Sequence, residues 1–179
     1  MPKSVFVCLV FMCISTSSST FAQSSYAEDR AMIEDLQARY MFALDFGDAD
    51  AYASTFTNDG VLNHGRGETK GREAIRNYIL ENQKSAEAQR SKDTSGLRPA
   101  TGRHNISNIV IKVNGNKAVG RAYWFHMNNN NARRTAELDS FGHYEDEMVK
   151  VNGQWLFSKR KVYNERLDKR AATGGNPAW

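Results

Sequence analysis

Over residues 27–46, apolar side chains recur at Ile33, Leu36, Tyr40, Ala43 and Leu44. Steps of three and four residues place them on one stripe of a helix. Gly47 follows as a natural C-terminal cap, and Asp48 as the N-cap of a second short helix, ADAYASTF. GVLNHG is a short strand and GRGETKG a turn. A third helix is predicted from about Arg72 to Gln89, with Ala74, Ile75, Tyr78 and Ile79 on one face. The polar stretch SKDTSGLRPATG is a loop. Beyond it the helical period gives way to alternation. HNISNIVIKV, KAVGRAYWFHM, TAELDSFGHYEDEMVKV and QWLFSKRKVYNERL are rich in β-branched and aromatic residues and read as strands. Asn114-Gly115 and Asn152-Gly153 are hairpin turns between them, and NNNNARR is a longer polar connection.

Helices followed by strands predict an α+β domain, a cone-like curved antiparallel sheet wrapped over the N-terminal helices. Such a cone encloses a cavity suited to a small ligand. The domain is expected over residues 23–168. The tail at 169–179 carries no pattern and is expected to be flexible.

Residues 1–22 change the picture of where the protein works. Lys3 begins a positive region, Val5 to Ile14 form an apolar core, and Thr20-Phe21-Ala22 supplies a small-residue cleavage site. The apolar run is shorter than the roughly 20 residues needed to span a bilayer. A secretory signal is therefore expected, with the mature protein secreted or periplasmic and not membrane-bound. Cys8 and Cys13, the chain's two cysteines, leave with it. Disulfides, thiolate metal sites and cysteine nucleophiles are thereby excluded from the mature chain. Loss of Lys3 lowers the net charge from +4 to +3, and the basic residues are scattered, which argues against a nucleic-acid groove.

Candidate chemistry centres on Asp45, in the last turn of the first helix. A carboxylate at a helix C-terminus faces partially negative carbonyls and calls for a positive partner. His104 opens the first long strand at an edge expected to overhang that helix end. A carboxylate on one imidazole nitrogen fixes the tautomer and makes the other nitrogen a general base. The helical wheel, at about 100° per residue, sets Asp45 about 140° from Tyr40, on the solvent side. None of the four histidines shows metal-ligand spacing, and no metal or cofactor is expected. On the last strand Leu156, Ser158, Arg160 and Val162 share one face, and Trp155, Phe157, Lys159 and Lys161 the other. Two readings stand: Arg160 as an inward cation that steadies a developing anion, or a solvated strand whose apolar face is Trp155 and Phe157. In the preceding strand Gly142, Tyr144, Asp146 and Met148 form the inward set.

The stretches AMIEDLQARYMFALDFGDADAYASTFTNDGVL, GREAIRNYI, RHNISNIVIKVNGNKAVGRAYW and GHYEDEMVKVNGQWLFSKRKV together resemble the SnoaL-like branch of the nuclear-transport-factor-2-like superfamily. The arrangement is most similar to its cofactor-independent lyases: hexachlorocyclohexane dehydrochlorinase, bile acid 7α-dehydratase and scytalone dehydratase. The resemblance implies that Asp45 turns inward to hold His104, that Arg160 stabilises a leaving anion or enolate, and that Tyr40 hydrogen-bonds or protonates the leaving oxygen. It also implies a pocket lined by Leu62, Trp124, His126, Tyr144 and Asn164. The expected function is a lyase or isomerase acting on a small hydrophobic, cyclic or aromatic compound. The alternatives are a carrier for a hydrophobic metabolite and a structural subunit. A homo-oligomer, dimer or trimer, is expected, with Trp155 and Phe157 as a candidate contact.

Overall fold

The computed structural model describes residues 24–64, 67–172 and 174–179. The expected export signal lies outside them. Helix α1 (Tyr26–Phe46) starts on a reciprocal cap, in which Ser25 Oγ accepts from the Glu28 amide and the Glu28 carboxylate accepts from the Ser25 amide. It stops at Gly47, whose φ of +68° is the left-handed cap conformation that glycine adopts without strain. Asp48 accepts from the Ala51 amide at 2.9 Å and starts α2 (Ala49–Ser54). Helix α3 spans Arg72–Arg90.

Six strands, β1 (Phe56–Asn63), β2 (Glu68–Lys70), β3 (Gly102–Asn114), β4 (Lys117–Asn128), β5 (Glu137–Val151) and β6 (Gln154–Val162), form one sheet in the order β2-β1-β6-β5-β4-β3. All neighbours are antiparallel except β1 and β6, which run parallel. No tight turn connects these two, so no hairpin constrains their relative direction. Asn152 and Gly153 both take positive φ in the β5–β6 turn. The β3–β4 turn sits on Gly115-Asn116, one residue later than expected, because Asn114 and Lys117 are the last paired residues.

Ile33 and Leu36 of α1 and Ile75 and Ile79 of α3 pack into one core with Trp124, Tyr144, Met148 and Phe157 of the sheet. The expected face assignment of β6 is corrected here. Met148 pairs with Phe157 and Glu147 with Lys159, so Ser158 is an extra residue in the ladder. A bulge of this kind shifts the side-chain alternation by one. Trp155 and Phe157 before it, and Arg160 after it, are consequently all buried. The proposed oligomer contact at Trp155 and Phe157 is therefore withdrawn, since both rings lie in the core. The exposed aromatics of the sheet are Tyr123 and Phe141.

After β6 the chain folds back across β5. The Tyr163 and Glu165 amides donate to the His143 and Phe141 carbonyls, each at 2.9 Å. Gly142 makes this approach possible, because a Cβ there would lie 2.2 Å from the Tyr163 carbonyl oxygen. The segment then closes on itself, the Asn164 amide donating to the Arg170 carbonyl at 2.7 Å around the 3-10 turn Asp168–Arg170. In the final residues, Arg121 Nε donates to the Pro177 carbonyl at 3.0 Å, and the Lys112 ammonium sits 4.3 Å from the Trp179 ring centre.

Candidate active site

Between α1, α3 and the concave face of the sheet lies a cavity of about 210 Å³. Its walls are mainly rings: Tyr40, Tyr52, Tyr78, Trp124 and Tyr144, with Leu62 and Val162. Larger depressions of about 620 and 830 Å³ lie elsewhere, one across the outer side of the sheet and one beneath the 91–101 loop. They are lined mostly by charged and polar surface groups, and the small cavity is where His104, Tyr40 and Tyr144 converge.

Asp45 ends α1 one residue before its last, where the side chain reaches past the helix and under the start of β3. Its two oxygens accept the His104 amide at 2.9 and 3.1 Å, and Oδ1 lies 2.6 Å from His104 Nδ1. The carboxylate is only 6 % exposed. A carboxylate accepts and does not donate, so Nδ1 carries the proton. Nε2 is left with its lone pair, and His104 lines the cavity. Two donors from one residue, the amide and Nδ1, offset the unfavourable helix end that the isolated sequence shows.

Tyr40 is 2 % exposed and accepts the Tyr52 hydroxyl at 2.6 Å, so its own proton remains available to the cavity. Burial pushes the Tyr40 phenol above its ordinary range, against the pull of Arg160 and of the Tyr52 bond. Burial pushes Tyr52 and Tyr144 further up. All three are neutral donors at ordinary pH.

Arg160 does not line the cavity. It is fully buried behind Tyr40 and Tyr144, with Nε and one terminal nitrogen donating to the two Asp146 oxygens at 2.8 and 2.7 Å. Its guanidinium lies 4.0–4.2 Å from the centres of the Phe157, Tyr144 and Tyr40 rings. Burial opposes its charge, but the Asp146 pair wins and holds the guanidinium above its usual value. The bulge at Ser158 aims Arg160 at the inner layer, where Asp146 meets it before the cavity does.

Leu62, Trp124, Tyr144 and Asn164 all line the cavity. His126 does not. It pairs across the ladder with His104, and its ring stacks on the back of the His104 ring, centres 4.3 Å apart. Its Nδ1 lies 2.7 Å from Asp139 Oδ1, and it borders the depression beneath the 91–101 loop. This second Asp–His pair was not visible in the sequence. By alternation Asp139 belongs with His143 and Glu145 on the outer face. A bulge leaves Asp139 unpaired between Met127↔Leu138 and His126↔Ser140, and so turns it to the histidine. Gly102 leaves room for that ring, since a Cβ there would lie 2.2 Å from His126 Nε2. The cavity also takes in His64, Asn82, Ser140 and Arg170, none of which carried a recognisable motif. Among the described residues no group of three His, Cys, Asp or Glu side chains is arranged to hold a metal.

Comparison with known proteins gives this architecture its family. Residues 25–161 match the model of the SnoaL-like domain. Among curated proteins none matches this chain. Among solved structures, one from Catenulispora acidiphila in complex with S-DNPA is 26% identical, covering 78% of this chain and 96% of its own, with a TM-score of 0.64. A scytalone-dehydratase-like protein of Novosphingobium aromaticivorans is 23% identical over 77% of this chain and 85% of its own, with a TM-score of 0.60. An NTF2-like protein with a cystatin-like fold from the same organism is 23% identical over 85% and 86%, with a TM-score of 0.63. The cone of strands over three helices is thus the NTF2-like, cystatin-like fold, and this chain belongs to the SnoaL-like domain family.

Proposed function

We propose that this protein is a cofactor-independent lyase or isomerase for a small hydrophobic ring compound, with His104 as its general base. One observation carries the reading: Asp45 holds His104 by both the amide and Nδ1, while Nε2 is left to a ring-lined cavity. In such a cavity Nε2 takes a proton from a carbon beside a carbonyl. The electron pair left behind passes into the carbonyl as an enolate, or expels a group from the next carbon. Tyr40, with its hydroxyl already accepting from Tyr52, donates its proton to the leaving oxygen. The proton on Nε2 later restores the phenol, so the cycle balances. General acid–base catalysis of this kind contributes roughly 10²–10⁴-fold.

Arg160 supports Tyr40 and Tyr144 from behind and is a positioning residue in this scheme. Its engagement with Asp146 favours the second reading, a carrier that binds a hydrophobic metabolite without changing it, because it removes the expected anion-stabilising cation from the cavity wall. The two readings separate on turnover. Screening ring compounds that carry a β-hydroxy or β-halo carbonyl group should reveal an elimination that His104→Ala slows about 10²–10⁴-fold, with the fold retained by circular dichroism. Near-wild-type turnover in His104→Ala overturns the base. Retention of ligand with no chemical change favours the carrier. Export with cleavage after Ala22 is part of the proposal, as is assembly as a dimer or trimer. A mature N-terminus at Gln23 tests the first.

A further inference from the structure

We infer that the closed turn after β6 delivers Arg170 to the cavity as the anchor for a carboxylate on the ligand, so that the ligand is an aromatic or cyclic acid. The inference deepens the lyase reading of the same cavity and rests on it for the identity of the reaction.

The cavity walls include no carboxylate, and Arg170 is their one residue with a permanent positive charge. Arg160 cannot take that role, because both Asp146 oxygens hold it in the core. Among the described residues the Arg170 guanidinium has no ion-pair or hydrogen-bond partner, and its Nε is buried and unmatched. One Arg160 nitrogen is also buried and unmatched, but it lies in the core behind Tyr40 and Tyr144, whereas Arg170 lines the cavity and has no counter-ion. A buried donor without an acceptor is costly, about 1–3 kcal/mol, and more when the group is charged. A ligand carboxylate would answer that donor, in the geometry a guanidinium recognises best.

The backbone shows why the group is held there rather than left to wander. Arg170's own carbonyl accepts the Asn164 amide at 2.7 Å and its amide donates to the Leu167 carbonyl at 2.7 Å. Tyr163, next to Asn164, is fastened to the sheet twice: its amide to His143, and its carbonyl accepting Trp124 Nε1 at 2.9 Å. The guanidinium is therefore carried on a loop pinned at both ends, while its head remains uncommitted. Asn164 lines the same cavity; its side-chain oxygen accepts the Arg166 amide at 3.1 Å, which leaves its side-chain N–H groups to meet a second carboxylate oxygen. The remaining walls are aromatic. A ring with an acid at one end matches this polarity, with the acid at Arg170 and the reacting carbon at His104.

The test is calorimetric titration of 2-naphthoate and of its neutral counterpart 2-naphthamide into the full chain at low salt. Wild type is expected to prefer the acid by about tenfold to a hundredfold, the range of a charge-assisted hydrogen bond. Arg170→Gln should abolish the preference by weakening naphthoate alone, and Arg170→Lys should restore part of it. His104→Ala should leave it intact while removing turnover. Equal affinity for acid and amide in wild type, or no binding of either, overturns the inference, as does a preference that survives Arg170→Gln or vanishes in His104→Ala. A lost acid preference with turnover still dependent on His104 removes only the anchor. A preference that holds in a protein without turnover removes only the base.

Discussion

Asp45 and Asp146 both hold a nitrogen base beside the same cavity, and they leave very different amounts of that base unused. Asp146 takes Arg160 in a two-pronged pair, both side chains fully out of water, with the Gln37 amide at 3.5 Å from one oxygen. Three aromatic rings close over the guanidinium. Asp45 also takes its partner with both oxygens, but spends one contact on the backbone and one on a single ring nitrogen. The far side of His104 is left to the cavity, and its side chain remains 23 % exposed. The same residue type thus builds a structural strut in one place and a poised base in the other. The difference lies in how completely the partner is consumed.

Removing Asp146 should have the largest effect on stability. Asp146→Ala leaves a buried guanidinium without its counter-ion, which costs about 3–5 kcal/mol, or about 10 °C in Tm. The apolar double replacement Asp146→Leu with Arg160→Met should recover most of that loss in urea unfolding, because no charge is then left buried. If Asp146→Ala unfolds with wild-type stability, Arg160 has another partner and the contrast with His104 fails.

The cavity pair should respond the other way round. His104→Ala keeps the helix end and the backbone contact, so its stability cost is expected to be about 1 kcal/mol, against its large effect on turnover. A loss as large as that of Asp146→Ala would make Asp45–His104 a strut as well.

Asp29 is a third buried acid, and its pairing depends on pH. Burial raises its carboxyl, but hydrogen bonds from Lys150, Trp155 and Ser24, at 2.5, 2.8 and 2.8 Å, outweigh that and hold it below the ordinary 3.8. A depressed folded-state value means that the pair stabilises the protein above about pH 3.8 and stops doing so as pH falls through the folded value. The gap in Tm between wild type and Asp29→Asn should therefore narrow below pH 3.8. A gap that stays constant down to pH 2 contradicts this.

Much of the fold follows from local pattern. The apolar stripe of α1, the Gly47 cap, the Asp48 start of α2 and the alternating strands are each consequences of neighbours within a few residues, and each lies where the sequence places it. The candidate site was legible unevenly, for reasons that can be named. Asp45 and His104 stand out by residue type at the ends of elements, yet a wheel turns Asp45 outward. At a helix terminus the wheel loses its force, because no further turn exists to define the buried side. The face of Arg160 was misread by parity, since one inserted ladder residue reverses every face that follows it, and a second bulge kept the pairing of Asp139 with His126 out of the pattern. Arg170 carries no sequence signal at all.

Local pattern in the chain set the three helices, the four long strands and the polar groups at their ends, because helix period, strand alternation and caps are short-range properties. GRGETKG, read as a turn, became strand β2 only through pairing with β1. Only the tertiary structure decided which acid meets which base. Bulge positions, the parallel β1–β6 pair and the return of the C-terminal turn over β5 depend on contacts between residues far apart in the chain. Those contacts placed Arg160 in the core, His126 behind His104 and Arg170 at the cavity.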